Sequence, residues 1–394
     1  MLHSYAFTNF QSFLDRTEVS FVLNSKTSVR GWTAESPSGA RLSTALAVLG
    51  ANGAGKTALL KSLAFTEWFL RRSFSAQPDS TIPVTQHFLA KDEPTEIELE
   101  AEDTDGVLWR YVLKVTPERV IHEALYKKKE RFGYVFIRDW YPSSESYVIK
   151  QQGFGFAAAE AQKVRPNASL ISTAAQYGVE VAQHVLNLNF LSNVTVTGRL
   201  NNSHSDLVAA TALYSRFEGI RKQMISLLTR WDLGLSDVEV EEIEVTNSEG
   251  KAVKRWIGSG LHKSKHGKIY RLPIEEESSG TQSAFILLSK LLAVLDVGGV
   301  LAFDELENDL HPHMVEPVLD LFANPTTNPR NAQLIFTCHS PEVLDLLQKS
   351  QVMFVEKNSC ESVGYRGDHI QGLRSDDNLR SKYLSGALGA VPRV

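Results

Sequence analysis

Gly50-Ala-Asn-Gly-Ala-Gly-Lys-Thr57 directly follows the apolar run Ala45-Leu-Ala-Val-Leu49. It fits the pattern G-x-x-x-x-G-K-[ST], and its context matters more than the pattern. A buried strand ends, a glycine-rich loop turns with its N–H groups facing inward, and a helix begins at Lys56. The loop residues Gly50, Asn52, Gly53, Ala54 and Gly55, with the helix N-terminus, form an anion site for polyphosphate. Lys56 is expected to reach the β- and γ-phosphates of a nucleoside triphosphate, and the Thr57 hydroxyl to ligate Mg²⁺.

Outward from this loop, a helix is predicted from Lys56 to about Arg72, with Leu59, Leu60, Leu63, Phe65 and Phe69 on one face. Before it lie short strand patterns at Ser4–Thr8 and Glu18–Leu23. After it, Glu96–Ala101 and Val107–Val115 flank the turn Asp103-Thr-Asp-Gly106 as a hairpin, and Val120–Tyr126 and Tyr134–Arg138 extend that sheet. From about residue 153 to Trp231 the pattern is mostly helical, as at Val179–Leu188 and Leu207–Leu228. Strands are predicted again at Asp237–Thr246 and Trp256–Gly258. A helix from Ser278 to Leu295, a strand at Val300–Phe303, a helix after His311 and a strand at Gln333–Thr337 complete the pattern.

Composition narrows the class. The chain has 394 residues, 43% hydrophobic and 22% charged, as in an ordinary globular protein of two lobes or of one core with an insertion. A net charge of −5 argues against a uniformly basic nucleic-acid binder. Cys338 and Cys360 form neither a metal-spacing motif nor a disulfide framework, which points to a reducing cytoplasm. The N-terminus lacks the features of a signal peptide. The longest apolar stretch, Ser283–Leu295, contains Lys290 and is too short to span a bilayer.

A second nucleotide motif lies far downstream. Val300-Leu-Ala-Phe-Asp-Glu305 is an apolar strand delivering two carboxylates to its C-terminal end. Asp304 would hold the Mg²⁺ hydration shell, and Glu305 could accept a proton from an attacking water. Ser278-Ser-Gly-Thr-Gln282 opens the preceding helix, where Ser279 and Gly280 suit a γ-phosphate; the competing role is an ordinary helix cap made by Ser279. Phe336-Thr-Cys-His-Ser340 places His339 where its strand leaves the sheet, within reach of a γ-phosphate or a water.

P-loop, S-S-G-T-Q, hhhhDE and a strand-end His, in that order, resemble the ABC-class ATPases, and within them the RecF, SMC and OLD-like branch. The opening Phe7-Thr-Asn-Phe-Gln-Ser-Phe13, the string Asp304-Glu-Leu-Glu-Asn-Asp-Leu-His-Pro312 and Thr337-Cys-His-Ser340 are similar to the compact, coiled-coil-free AAA-annotated ATP-binding proteins of anti-phage defence loci. The resemblance covers nearly the whole chain, most closely at residues 1–75 and 275–345. It implies an α/β fold of ABC-ATPase head type, with a mixed β-sheet lobe (1–150), a helical insertion lobe (151–275) and a parallel-sheet core completed by residues 276–394.

The same resemblance implies a head-to-tail homodimer with ATP and Mg²⁺ between subunits. The P-loop, Asp304, Glu305 and His339 of one copy would face Ser279, Gly280 and Gln282 of the other. The signature usually reads L-S-G-G-Q, and Thr281 replaces its second glycine here. Gln86 is the candidate Q-loop metal ligand, and Glu307–Leu310 the D-loop, with Asn308 and Asp309 as contacts across a dimer.

The implied function is an ATPase serving as sensor subunit of an anti-phage system, controlling an effector protein encoded nearby. A RecF-like DNA-repair ATPase and an ATP-gated protein scaffold are the alternatives. For nucleic acid, the acid-free segment Lys251–Arg271 is the candidate surface, with Lys251, Lys254, Arg255, Lys263, Lys265, Lys268 and Arg271. Lys127-Lys-Lys129 with Arg131 is a smaller basic run.

Overall fold

The computed structural model describes residues 1–25, 27–28, 31–128, 130–231, 233–246, 251–308, 312–374 and 376–392. The P-loop strand, Ala45–Leu49, lies inside a six-stranded sheet. Its order is Phe190–Ser192, Val300–Phe303, Gln333–Thr337, Ala45–Leu49, Val352–Asn358 and Glu361–Arg366. The first five strands run parallel, and the last closes the edge antiparallel.

Parallel strands covered on both faces read as continuous apolar runs, and Ala45–Leu49 and Gln333–Thr337 are buried at every position. Alternate residues serve two cores. Leu46, Val48, Ala302, Ile335 and Val355 face one hydrophobic cluster, whereas Ala47, Leu49, Leu301, Phe336 and Phe354 face the other.

The first cluster is roofed by the helix Lys56–Arg72 and by a seven-stranded antiparallel sheet. That sheet runs Ser146–Gln151, Phe132–Tyr141, Val120–Lys128, Leu108–Val115, Thr95–Glu102, Leu2–Thr8 and Thr17–Ser20. In Leu108–Val115 burial alternates, with Trp109, Tyr111, Leu113 and Val115 inside, the period-2 signature of a sheet with one apolar face. Buried Gln333 joins the two sheets. Its Oε1 accepts from Leu2 N at 2.7 Å, and its Nε2 donates to Leu2 O at 2.9 Å and Ser43 O at 3.2 Å, so every hydrogen-bonding group of this buried amide is engaged.

The second cluster contains the helices His204–Arg216, Glu218–Arg230, Ser279–Val297 and Val315–Ala323. The continuous helix expected over Leu207–Leu228 is two. Phe217 adopts φ −116° and ψ 93°, outside the helical region, beside Gly219, whose helix propensity is poor. Residues 151–275 hold more strand than their pattern suggests. Phe190–Ser192 joins the parallel sheet beside Val300–Ala302, and Asp237–Thr246, Ala252–Lys263 and Ile269–Pro273 form a three-stranded antiparallel sheet.

The helix Ser279–Val297 is longer than the apolar stretch that announced it. With 19 residues it is long and apolar enough to cross a membrane by length and composition. It is nevertheless a core helix: Tyr214 Oη donates to Phe285 O at 2.8 Å from the neighbouring helix, and Ala284, Phe285, Leu288 and Leu291 are fully buried in the second cluster.

Candidate active site

Because the central strands run parallel, their C-terminal ends lie at one edge, where α/β sheets bind ligands. The P-loop leaves this edge at Gly50. A Cβ there would stand 2.2 Å from the Val355 carbonyl oxygen, so only glycine lets the loop pass the neighbouring strand. At Gly55, φ is +116° and a Cβ would meet Ser362 Oγ at 2.7 Å, which again excludes side chains. Ser362 Oγ donates to Ala54 O at 2.6 Å and accepts from Ser12 Oγ at 2.8 Å, bracing the loop from two sides. The helix Lys56–Arg72 begins without a side-chain cap and with no acid in its first turn. Its first N–H groups and positive dipole end are therefore available to an anion.

Lys56 is buried, and its Nζ donates to Gly50 O at 2.8 Å and Ala51 O at 3.1 Å. Burial lowers its pKa from the ordinary lysine value, against the opposing pull of Asp304, Glu305 and Glu307. The ammonium is thus surrounded by acids but poorly hydrated.

Asp304 is the most constrained group of the site. Thr57 Oγ1 donates to its Oδ2 at 2.9 Å, and Thr337 Oγ1 to its Oδ1 at 2.7 Å. Asn193 fixes its backbone, accepting from Asp304 N at 2.7 Å and donating to Asp304 O at 2.9 Å. One carboxylate and one hydroxyl make a hard oxygen donor pair, which suits Mg²⁺ completed by water and phosphate oxygens. Among the described residues no group of three or more His, Cys, Asp or Glu could hold a metal by itself.

Glu305 turns the chain sharply, with φ +54°, a left-handed conformation that costs a non-glycine residue about 1 kcal/mol. Thr337 Oγ1 accepts from Glu305 N at 2.6 Å and holds this corner. The Glu305 carboxylate is ion-paired through Oε2 with Arg199, and His339 Nε2 stands 4.0 Å from its Oε1.

The structure thereby brings together Lys56, Thr57, Asp304, Glu305 and His339. It adds Asn193, Arg199 and Thr337, which the sequence reading missed. Thr337 stands in the string Thr337-Cys-His-Ser340, which assigns it no role of its own. Asn193 and Arg199 sit in a segment read as helical, where no motif marks them.

Cys338 separates Thr337 from His339. Burial, with the nearby Glu307 carboxylate, pushes its thiol well above the ordinary range. Cys338 should therefore resist iodoacetamide at pH 8 in the folded protein while half-buried Cys360 reacts, as peptide mapping would read; faster alkylation of Cys338 would contradict this placement.

Other candidates lie apart. The cap of the helix Ser279–Val297 is Ser278, not Ser279: its Oγ accepts from Thr281 N at 3.2 Å. Ser279 is exposed, and Gln282 Nε2 donates to Glu275 O at 3.0 Å and Glu277 O at 2.8 Å. Among the described residues no hydrogen bond joins Ser279, Gly280 or Gln282 to the P-loop of the same chain. Gln86 Nε2 donates to Glu93 O at 3.0 Å and has no hydrogen bond to Thr57 or Asp304. In the segment expected to form a D-loop, Asn308 lies against Arg199; with its amide oriented to place oxygen toward the guanidinium, it accepts from Nη2 at 2.5 Å and Nη1 at 3.2 Å, and Asp309 and Leu310 lie outside the described residues.

The basic segment Lys251–Arg271 faces an acidic strand. Lys254 pairs with Glu242 at 2.8 Å, and Arg271 with Glu239 at 2.9 Å and Glu241 at 2.7 Å. Lys129, in the smaller basic run, lies outside the described residues.

The protein-family model described as "AAA domain, putative AbiEii toxin, Type IV TA system" matches residues 46–345, and the chain belongs to this family. No curated protein matches it. Similar solved structures include an Smc head bound to the C-terminal winged-helix domain of ScpA, with 14% identity, a TM-score of 0.48, and 92% of this chain and 96% of that one covered. The SMC head domain from Thermotoga maritima aligns at 11% identity and TM-score 0.43, covering 93% and 98%. The recombination mediator protein RecF aligns at 9% identity and TM-score 0.34, covering 92% and 98%.

Proposed function

We propose that this AAA-domain protein is a Mg²⁺-dependent ATPase whose two copies close on ATP, and that it is the sensor subunit of an anti-phage system acting in the cytoplasm on a separately encoded effector. The observation that carries the ATPase reading is the 2.9 Å bond from Thr57 Oγ1 to Asp304 Oδ2. It joins the P-loop helix to the carboxylate strand across an intervening strand, at the position a phosphate-bound cation needs. Thr57 and Asp304 would hold Mg²⁺, which when bound neutralises phosphate charge. Lys56 and the free helix N-terminus bind the phosphates. Water attacks the γ-phosphorus while Glu305 takes its proton, and the bond to the bridging oxygen breaks to release ADP and phosphate.

The dimer reading is supported by the separation just described. Ser279 is exposed and Gly280 half-buried at the start of a helix, as a surface that meets the nucleotide of a second copy would be. The defence reading is supported by the description of the matched family, a putative toxin of a type IV toxin–antitoxin system. Ser279→Arg is expected to leave ATP binding by the monomer intact and to abolish ATP-driven dimerisation, followed by light scattering with and without ATP. ATP-dependent dimerisation equal to that of the unaltered chain would overturn the composite site.

A further inference from the structure

Arg199 holds the carboxylate proposed as the general base. It lies in the short hairpin Val194–Thr195 and Gly198–Arg199, which leaves the parallel sheet directly after Asn193. Its guanidinium pairs with the Glu305 carboxylate and is bonded by the Asn308 amide oxygen. The arrangement has two consequences. The ion pair occupies Oε2, one of the two oxygens through which Glu305 could take a proton. The guanidinium itself is incompletely satisfied, because its buried Nε has no hydrogen-bond partner, which is costly for a charged donor.

We infer that Arg199 is the triphosphate sensor of this site: without a γ-phosphate it restrains Glu305, and with ATP bound it turns to the γ-phosphate and frees the carboxylate. A γ-phosphate carries more negative charge than one carboxylate and offers three acceptor oxygens, two of which a planar guanidinium can take bidentately. ADP lacks those oxygens, so Arg199 stays on Glu305.

The hairpin is tied at both ends to elements that matter for a dimer. Asn193 bonds both backbone groups of Asp304. Asn202 Nδ2 donates at 3.0 Å to Ser283 Oγ, on the helix that carries Ser279 and Gly280 at its start. Movement of Arg199 is therefore passed to the helix whose first residues would meet the second subunit. This inference rests on the ATPase reading and adds to it a residue that distinguishes ATP from ADP.

The test compares the unaltered chain with Arg199→Ala and Arg199→Lys by calorimetric binding of ADP and of the non-hydrolysable adenylyl imidodiphosphate, and by steady-state phosphate release. Arg199→Ala should bind ADP as the unaltered chain does, which also shows that it is folded. It should bind the triphosphate analogue about tenfold more weakly, and kcat should fall about 100-fold, as when a transition-state donor is removed. Arg199→Lys should recover part of the analogue affinity. Equal weakening of ADP and the analogue would reduce Arg199 to a structural part, and turnover that is unchanged or raised would mean that it only restrains Glu305; either result overturns the inference. An unaltered chain that binds neither nucleotide would fail earlier, at the ATPase reading itself.

Discussion

Glu305→Gln should reduce ATP turnover by about 10³-fold, within the span expected for a general base, while leaving ATP affinity within about threefold of its starting value. The substitution is close to isosteric. The amide oxygen can still accept from Arg199, and the backbone corner is held independently by Glu305 N on Thr337 Oγ1 at 2.6 Å. What disappears is the ability to take a proton from water. Because nucleotide still binds but does not leave as ADP, the ATP-bound dimer should accumulate and be visible by light scattering at ATP concentrations where the unaltered chain cycles between states. Single-turnover phosphate release is the decisive measurement. Turnover within about twofold of normal would remove Glu305 from the role of base and pass it to His339, whose Nε2 is 4.0 Å from the same carboxylate.

The two halves of this site were legible because of how parallel sheets are buried. Ala45–Leu49, Val300–Phe303 and Leu334–Phe336 are apolar on both faces, so each reads as an uninterrupted run; the first two runs coincide with their strands, and the third is the middle of Gln333–Thr337. Asn193 and Arg199 were not legible. The strand before them, Phe190–Ser192, is three residues long and exists through its pairing with Val300–Ala302, a tertiary contact that no local period announces. Arg199 acquires meaning only when that pairing brings it beside Glu305.

Charge patterning shows only part of the local electrostatics for a related reason. Lys251–Arg271 contains no acid, yet Lys254 pairs with Glu242 on the adjacent strand and Arg271 with Glu239 and Glu241 on the far strand of the same sheet. A run of one sign along a strand is a patch only if the facing strand does not answer it. The cap of the helix Ser279–Val297 is made by Ser278 rather than by Ser279, whose competing role as cap is thereby excluded. The hydroxyl of Ser278 is occupied by Thr281 N, which leaves Ser279 exposed at the helix start.

Lys56→Met should weaken ATP binding by about 100-fold without lowering the thermal stability of the protein. In the ligand-free chain the ammonium rests on Gly50 O and Ala51 O, two neutral acceptors that an incoming phosphate replaces with charged ones. Charge-assisted bonds of this kind contribute about 1.5–3 kcal/mol each, so losing them accounts for an effect of that size. Stability should move the other way. Burial lowers the pKa of Lys56 below its unfolded value, so wherever the pH lies below the folded pKa the protonated side chain opposes folding. That penalty is complete below the folded pKa and vanishes as pH rises past the unfolded one. Methionine keeps the aliphatic stem and removes the charge, and the melting temperature at pH 7 should stay level or rise. A lysine that weakens the fold and is kept at the mouth of an anion site is better explained by what it binds than by what it supports. Calorimetric titration with ATP and a melting curve on the same sample separate the two effects. ATP affinity within about threefold of the unaltered chain would remove the P-loop as the nucleotide site, and a collapse in melting temperature would make Lys56 a structural residue.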